Sequence, residues 1–250
     1  MTGFTGLPVS GPGSNEVAYI TSEGGKTIIC AGGTNGSWNG LKLPYMVSVF
    51  DGRKYENISS GAHYDAMRAA IDPSDPSRYF VSSWGGGLFM YENNSLVKQF
   101  DSSNSPLQES GSSGETRVLG LATDRSGNLW ITQPDVTAKI KVLKSGGTWE
   151  TYPANISAPL AADLVATSSG QIWIILPGGY GLFIIDDNGT PGISTDDKTR
   201  KLTIIDSDDR TINSAFSLAE DLDGSVWVGT GQGPVIYHNP EGVFDGDVRG

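Results

Sequence analysis

The chain has 250 residues, a formal net charge of −11 and a pI near 4.5, with 34 glycines and 18% charged residues. Nucleic-acid binders need clustered Lys and Arg to displace counterions, and anionic membranes attract basic segments, so this composition argues against both partners. The glycine content is typical of short strands joined by tight turns, because glycine is costly inside helices.

The start of the chain carries no recognisable targeting segment. Residues 1–16 are rich in Gly, Pro and Ser and lack the basic start and apolar core of a signal peptide. An exported protein of this kind would carry its signal outside this sequence. No apolar run approaches the ~20 residues of a membrane span. The single cysteine, Cys30, allows no intrachain disulfide, and its apolar neighbours indicate a buried strand residue.

One phrase recurs along the chain: a turn rich in Asp or Ser, a glycine, a polar residue, then aliphatic, tryptophan, aliphatic. Looser copies lie at residues 22–29 and 72–81, and clear copies at 124–131, 167–174 and 221–228. The aromatic positions, from Phe80 onward, recur near the roughly 40–50 residues of a four-stranded propeller blade. The repeat therefore predicts an all-β fold, a β-propeller of four-stranded antiparallel blades.

Each copy has the same internal order. An apolar strand comes first, then the hairpin turn, the strand with the aromatic residue, and two further strands. We expect each recurring Trp to pack between neighbouring blades. The polar segments 102–115 and 186–200 are interpreted as insertions between elements. The predicted blades follow, in chain order, at residues 16–60, 66–101, 116–153, 159–206 and 214–246.

The fifth repeat is incomplete, because no convincing fourth strand follows Tyr237. Two interpretations stand for the domain spanning residues 1–250. It is either a closed ring of five blades or part of a larger, seven-bladed propeller, and we favour the second. Open repeat edges expose unpaired strands, so such a piece is expected to dimerise or swap strands through them.

Residues 129–132 and 219–230 resemble the two-component-regulator propeller repeat, which ends in Trp-aliphatic-Gly-Thr after an Asp-Gly turn and is typical of exported Bacteroidetes proteins. The string from Asp72 to Leu107, which includes Phe80-Val81-Ser82-Ser83-Trp84-Gly85, is similar to the PorZ family. The segments 187–190 and 239–244 fit the same family. PorZ-like proteins are surface components of the type IX secretion system.

This resemblance implies two propellers followed by a β-sandwich, in the periplasm or at the outer-membrane surface of a Gram-negative bacterium. It further implies a non-enzymatic role, with binding of an anionic lipopolysaccharide and contact with other secretion-system proteins. The alternative is the periplasmic sensor propeller of a hybrid two-component regulator, which would bind a short oligosaccharide. The two hypotheses share the fold and differ in the ligand.

Catalytic groups are sparse in the sequence. His63 and His238 fall in different blades, Cys30 stands alone, and no zinc spacing, Gly-x-Ser-x-Gly elbow or phosphate loop is present. Streptogramin lyases share Gly-Asn-Leu-Trp phrases, but the similarity stops at the fold repeat, and their histidine-centred site is not found here. We therefore predict no enzyme, no catalytic residue and no organic cofactor.

The top-face loops carry the candidate ligand-binding residues. Aromatic rings there would stack on sugar rings or, alternatively, pack against neighbouring loops. Two arginines at the inner strands would either attract an anion into the channel or pair with a carboxylate. The candidates are Trp38, His63, Tyr64, Arg68, Trp84, Arg117 and Tyr180.

The segment that follows the predicted third strand of blade 4 is acidic. Its oxygen-bearing side chains, Asp187, Asn188, Asp196 and Asp197, could ligate calcium. Their spacing does not match an EF-hand, and a solvated turn is the interpretation that we favour.

Overall fold

The computed structural model describes residues 10–193, 195–206 and 208–246. The predicted all-β propeller is confirmed: five antiparallel sheets follow one another along the chain, and the helical content of the described residues is one 3-10 turn, Pro240–Phe244. Blades 1 to 4 have four strands each and blade 5 has three in the described residues, each sheet ordered as in the sequence.

Blades 1 and 2 and a small hairpin form the first half of the fold. Blade 1 consists of β1 (Val17–Glu23), β2 (Lys26–Ala31), β3 (Pro44–Phe50) and β4 (Tyr55–Tyr64). Blade 2 consists of β5 (Ala66–Ile71), β6 (Arg78–Ser83), β7 (Gly87–Glu92) and β8 (Ser95–Phe100). A small hairpin follows, made of β9 (Glu109–Ser110) and β10 (Glu115–Thr116).

The second half of the chain forms the other three blades. Blade 3 consists of β11 (Leu121–Thr123), β12 (Leu129–Thr132), β13 (Ile140–Leu143) and β14 (Trp149–Thr151). Blade 4 consists of β15 (Leu164–Ala166), β16 (Gln171–Leu176), β17 (Gly181–Asp186) and β18 (Lys198–Leu202). Blade 5 consists of β19 (Ala215–Glu220), β20 (Val226–Thr230) and β21 (Gly233–Tyr237).

Some boundaries differ from those that the sequence indicated. β4 continues past residue 60 to Tyr64, β18 begins inside the segment interpreted as an insertion, and the insertion 102–115 contributes to the hairpin β9–β10. β18 is an outer strand with a mostly exposed or half-exposed surface, so it lacks the apolar alternation that marks strands in a sequence.

The first strand of each blade lines a common channel. β5 packs beside β1, β11 beside β5, β15 beside β11, and β19 beside β15. All five of these inner strands contribute side chains to one narrow cavity on the axis. No comparable packing joins β19 to β1 within the described part of the chain, so the described residues leave a gap between blades 5 and 1.

The recurring tryptophans show how one blade covers the next. Trp130 of blade 3 is 1% exposed and clusters with residues of blade 4, while Trp173 of blade 4 is fully buried and lies 5.2 Å from the ring of Tyr237 in blade 5. Trp227 of blade 5 is 39% exposed, although its indole N–H donates to Asp221 as that of Trp130 does to Asp124. Blade 5 therefore presents an inter-blade face without a covering blade among the described residues.

Candidate functional site at the mouth of the central channel

A cavity of about 450 Å³ opens where the inner strands of all five blades reach the top face. Its wall combines the loop that follows β2, residues 32–41, with side chains from the start of the inner strands. Those side chains are Glu16, Val17, Ala18, Met67, Arg68, Leu119, Asp163 and Phe216. This size matches the usual range of small-ligand sites.

The loop after β2 is held over the channel by Asp65. The carboxylate of Asp65 is buried and accepts the backbone N–H groups of Lys42 at 2.6 Å and Leu43 at 3.0 Å. Burial nevertheless raises the pKa of Asp65, because the two hydrogen bonds only partly offset the desolvation. Asp65 therefore anchors the end of the loop, and Asn35 braces its middle by accepting the backbone N–H groups of Ser37 and Asn39.

Trp38 lies in this loop with a φ of 61°. Such a left-handed conformation is costly for a bulky side chain and persists only where neighbouring contacts enforce it. The ring is half-buried, lines the cavity and packs against the core cluster that contains Met67 and Trp84. These packing contacts offset the backbone strain at Trp38 and hold its aromatic face at the channel mouth.

The floor of the cavity holds an ion pair. Arg68 of β5 donates from Nε to Asp163 Oδ1 at 2.9 Å and from Nη1 to the carbonyl of Met67 at 3.1 Å, and its guanidinium lies 4.4 Å from the ring centre of Tyr19. Burial alone would lower the pKa of Arg68, but the adjacent Asp163 outweighs it, and the pKa is raised. Arg68 is therefore a permanently charged group whose charge Asp163 compensates.

Arg68, Gly120 and Asp163 occupy equivalent positions in blades 2, 3 and 4. The backbone N–H groups of Arg68 and Gly120 donate to hydroxyls on the second strand of their own blades, at 3.0 Å and 2.8 Å. The carbonyls of Gly120 and Asp163 accept from that second strand in the same way. Arg68 and Asp163 can therefore meet because Gly120, the equivalent residue of blade 3 between them, has no side chain.

The charges of the cavity wall sum to a negative value. Its ionisable residues are Glu16, Arg68 and Asp163, two acids and one base. The single base is already paired. The described residues of the channel mouth consequently offer hydrogen-bonding groups and an aromatic face, but no uncompensated positive charge.

A second group of candidates lies around Tyr64. Its hydroxyl donates to Glu115, which also accepts from Arg117 at 2.8 Å, and Arg117 reaches Asp135 at 3.5 Å. Burial and the bond to Glu115 raise the pKa of Tyr64 to about 12. These contacts join the hairpin β9–β10 to the end of blade 1, and they show Arg117 paired with carboxylates.

The remaining candidates are not brought into the cavity. Trp84 is buried in the core, with the guanidinium of Arg117 5.1 Å from its ring centre. His63 meets the ring of Phe89 edge-on at 4.9 Å, and partial burial lowers its pKa. Tyr180 is exposed beside Lys201. Of the seven candidates, Trp38 and Arg68 line the channel mouth.

Several cavity residues escaped the sequence reasoning, chiefly Glu16, Leu41, Asp163 and Phe216. Asp163 is separated from Arg68 by 95 positions, so no local pattern links the two. A signal existed in the repeat, since Arg68 and Asp163 stand at the same place before their turn phrases and carry opposite charges. Phe216 reads as an ordinary strand residue, but it is 51% exposed and lines the cavity.

The acidic segment after β17 is partly buried. Asp187 is 4% exposed, and its pKa is raised by burial and by the nearby carboxylates of Asp124 and Asp197. In the regions that the structure describes, no three His, Cys, Asp or Glu side chains converge as a metal-binding group. The same regions contain no helix that is long and apolar enough to cross a bilayer.

These features define a β-propeller with a cavity at the mouth of its channel. No family model and no curated protein matches the sequence. Among solved structures, the chain is similar to PorZ, an essential surface component of the type IX secretion system of Porphyromonas gingivalis, with 25% identity and a TM-score of 0.84. The match covers 96% of this chain and 35% of PorZ. The propeller is PorZ-like, and it spans about a third of that protein.

Two other solved structures share the fold at lower identity. The extracellular domain of a putative hybrid two-component system from B. thetaiotaomicron has 16% identity and a TM-score of 0.59, covering 90% of this chain and 33% of that chain. A catalytically inactive histidine variant of virginiamycin B lyase from Staphylococcus aureus, solved with quinupristin, has 13% identity and a TM-score of 0.65. The match covers 95% of this chain and 71% of the lyase chain. The predicted relation to PorZ and to regulator propellers is thus confirmed at the level of the fold.

Proposed function

We propose that this chain is a non-catalytic, extracytoplasmic binding propeller of a PorZ-like surface protein, and that its channel mouth binds a saccharide. The observation that carries the proposal is the cavity itself, with Trp38 held over a floor of paired polar groups. The similarity to PorZ supports the secretion-system setting. Contact with other secretion-system proteins belongs to the same proposal.

A saccharide fits the chemistry of this wall. The face of Trp38 suits the apolar side of a sugar ring, as aromatic side chains combine a large contact area with fixed geometry. The carboxylates of Glu16 and Asp163 accept hydroxyl hydrogens, and the guanidinium of Arg68 donates to hydroxyl oxygens. Exposed backbone groups of Gly33 and Gly36 add further donors and acceptors.

The charge of the cavity indicates which part of a lipopolysaccharide would bind there. An anionic group gains most from unpaired Arg or Lys, whereas Arg68 is compensated by Asp163 and Glu16 adds a negative charge. We therefore propose that uncharged sugar units of a surface polysaccharide, rather than its phosphates or acids, enter the channel mouth.

The non-catalytic part of the proposal rests on the placement of the two histidines. His63 packs on Phe89, and His238 is exposed with a ring nitrogen 3.4 Å from the hydroxyl of Ser225. Neither lines the cavity. A lyase with a histidine-centred site would need one of these rings beside the ligand as its general acid or base.

Isothermal titration calorimetry with purified lipopolysaccharide, and with its neutral and phosphorylated fragments, tests the proposal. We expect the neutral fragments to bind and Trp38→Ala to weaken binding about tenfold or more, the equivalent of 1.4 kcal/mol. Tyr180→Ala removes an exposed aromatic ring outside the cavity and serves as the matched control. Equal loss in both variants, or no binding of any saccharide to the wild type, would contradict the proposal.

A sensor propeller of a two-component regulator is the second candidate. The described part of the cavity wall has no unpaired base, which favours a short neutral oligosaccharide, the ligand expected of a sensor. The likeness to the B. thetaiotaomicron extracellular domain supports the fold alone. In the same titrations, binding of short neutral oligosaccharides without binding of polysaccharide would select the sensor.

A further inference from the structure

Two buried carboxylate oxygens lack a hydrogen-bond partner in the loop that joins β17 to β18. They are Asp187 Oδ2 and Asp197 Oδ1, and the only other buried side-chain atom without a partner among the described residues is the hydroxyl of Tyr237. Buried polar atoms are almost always hydrogen-bonded, so each exception requires a physical explanation. Here two exceptions fall within one loop.

The other oxygen of each carboxylate is satisfied and fixes the side chain. Asp187 Oδ1 accepts the N–H of Gly189 at 3.1 Å, and Asp197 Oδ2 accepts the hydroxyl of Tyr152 at 2.5 Å. The Tyr152 ring packs on Trp130 of blade 3, with 5.5 Å between ring centres. The unpartnered oxygens are therefore held in place at the junction of blades 3 and 4.

Negative charge accumulates at this junction without a compensating base. The carboxylates of Asp187 and Asp197 lie within electrostatic range of each other, and Asp124 adds a third. Neither Asp187 nor Asp197 belongs to any ion pair formed by the described residues. Buried carboxylates in such a setting are normally paired or coordinate a metal.

We propose that this loop binds one calcium ion through Asp187 Oδ2 and Asp197 Oδ1. Oxygen-only ligands point to a hard cation, and calcium accepts an irregular shell completed by carbonyls and water, whereas magnesium demands a near-ideal octahedron. Because the site has two carboxylates rather than three, backbone carbonyls and water would supply most of the oxygen ligands around the calcium ion.

The other two acidic-segment candidates brace the loop instead of binding the ion. The hydroxyl of Thr190 donates to Asp196 Oδ2 at 2.8 Å, and the amide of Asn188 donates to the same oxygen at 3.4 Å. These bonds turn Asp196 toward the loop surface, where it is exposed. The ion would consequently stabilise the seam between blades 3 and 4. It would have no part in binding the saccharide.

Calorimetric titration of metal-free protein with CaCl₂, paired with thermal unfolding, tests the proposal. We expect one calcium per chain and a rise in Tm with calcium concentration, since a ligand bound only by the folded state stabilises it. Asp187→Asn and Asp197→Asn should each weaken binding about 100-fold or abolish it. Asp223→Asn, an exposed acid in the turn of blade 5, should leave both readouts unchanged.

Terbium luminescence covers the case in which a variant fails to fold. Trp130 and Tyr152 pack at the site, so they should sensitise bound terbium in the wild-type chain, and calcium should quench the signal by displacing it. The proposal would be overturned if metal concentrations up to about 10 mM gave no heat, no change in Tm and no sensitised emission. That concentration exceeds the dissociation constants of the weakest calcium-binding modules. A higher Tm of metal-free Asp187→Asn together with that result would show that the buried carboxyl only destabilises the fold and holds no ion.

Discussion

Arg68 of blade 2 and Asp163 of blade 4 meet at the mouth of the channel, with 2.9 Å between Nε and Oδ1. Their side chains are 13% and 3% exposed. The pair joins two blades that are not neighbours in the ring, beside Gly120 of the intervening blade. It therefore ties the inner strands of blades 2 and 4 together across the mouth of the channel.

The first prediction concerns this pair. Asp163→Asn leaves the Arg68 charge buried without compensation, so we expect the free energy of unfolding to fall by about 3–5 kcal/mol. Urea denaturation at pH 7 measures the loss. The double variant Arg68→Met with Asp163→Asn removes the stranded charge and should recover part of the stability. A loss below about 1 kcal/mol in the single variant would show that the pair is effectively solvated.

The second prediction concerns the blade between them. A Cβ at Gly120 would lie 2.4 Å from the carbonyl oxygen of Ala162 and 2.7 Å from the hydroxyl of Thr132. Gly120→Ala should therefore destabilise the protein by about 1–3 kcal/mol, because backbone must move to relieve the overlap. Gly146→Ala is the matched control, since nothing lies within 4 Å of its Cβ. Equal unfolding midpoints for the two variants would show that blades 3 and 4 separate easily.

The repeat phrase carries most of the fold information. Each Trp in it lies on the second strand of a blade, and its buried or exposed state follows from whether another blade covers it, as Trp130 and Trp227 show. The site was harder to predict. Trp84 belongs to the core because Gly40 of the long loop packs on its ring, a contact between residues distant in the chain. Asp163 pairs with Arg68 because the blades bring residues that are 95 positions apart to one axis.

The third prediction uses a buried base in blade 3. Lys141 is 1% exposed, its ammonium donates to the carbonyl of Ala138 at 2.5 Å, and burial lowers its pKa to about 8. An unfolded lysine titrates near pH ~10.4. Between these two values the unfolded chain binds more protons than the folded one, so stability attributable to Lys141 rises with pH from about 8 to about 10.

Lys141→Met should therefore be more stable than the wild type at pH 7, by roughly 1–3 kcal/mol, and should lack the rise at alkaline pH. Denaturant unfolding of wild type and Lys141→Met across pH 7–10 tests this prediction. All other titrating groups are the same in the two proteins, so the difference between their pH profiles reports Lys141. Lys139→Met, whose ammonium binds the carbonyl of Val136 closer to the surface, is the control. Parallel pH profiles for wild type and Lys141→Met would refute the assignment.

The fourth prediction concerns the opening between blades 5 and 1. Phe216 on β19 is 51% exposed, Ile20 on β1 is 56% exposed, and Trp227 adds its uncovered face. Apolar surface of this kind normally packs against another blade, so we expect the 250-residue chain to form dimers through it at high concentration. Sedimentation velocity over two decades of concentration measures the association.

Burying an apolar side chain of this size stabilises an interface by about 1.5–3 kcal/mol. Phe216→Ser together with Ile20→Ser should therefore weaken self-association at least tenfold. Leu96→Ser is the control, because Leu96 is equally exposed, at 54%, but lies on the outer strand β8 of blade 2. If the control weakened association as much as the double variant, contact would occur at the outer rim. A wild-type chain that stayed monomeric at every concentration would mean that the apolar opening does not drive self-association.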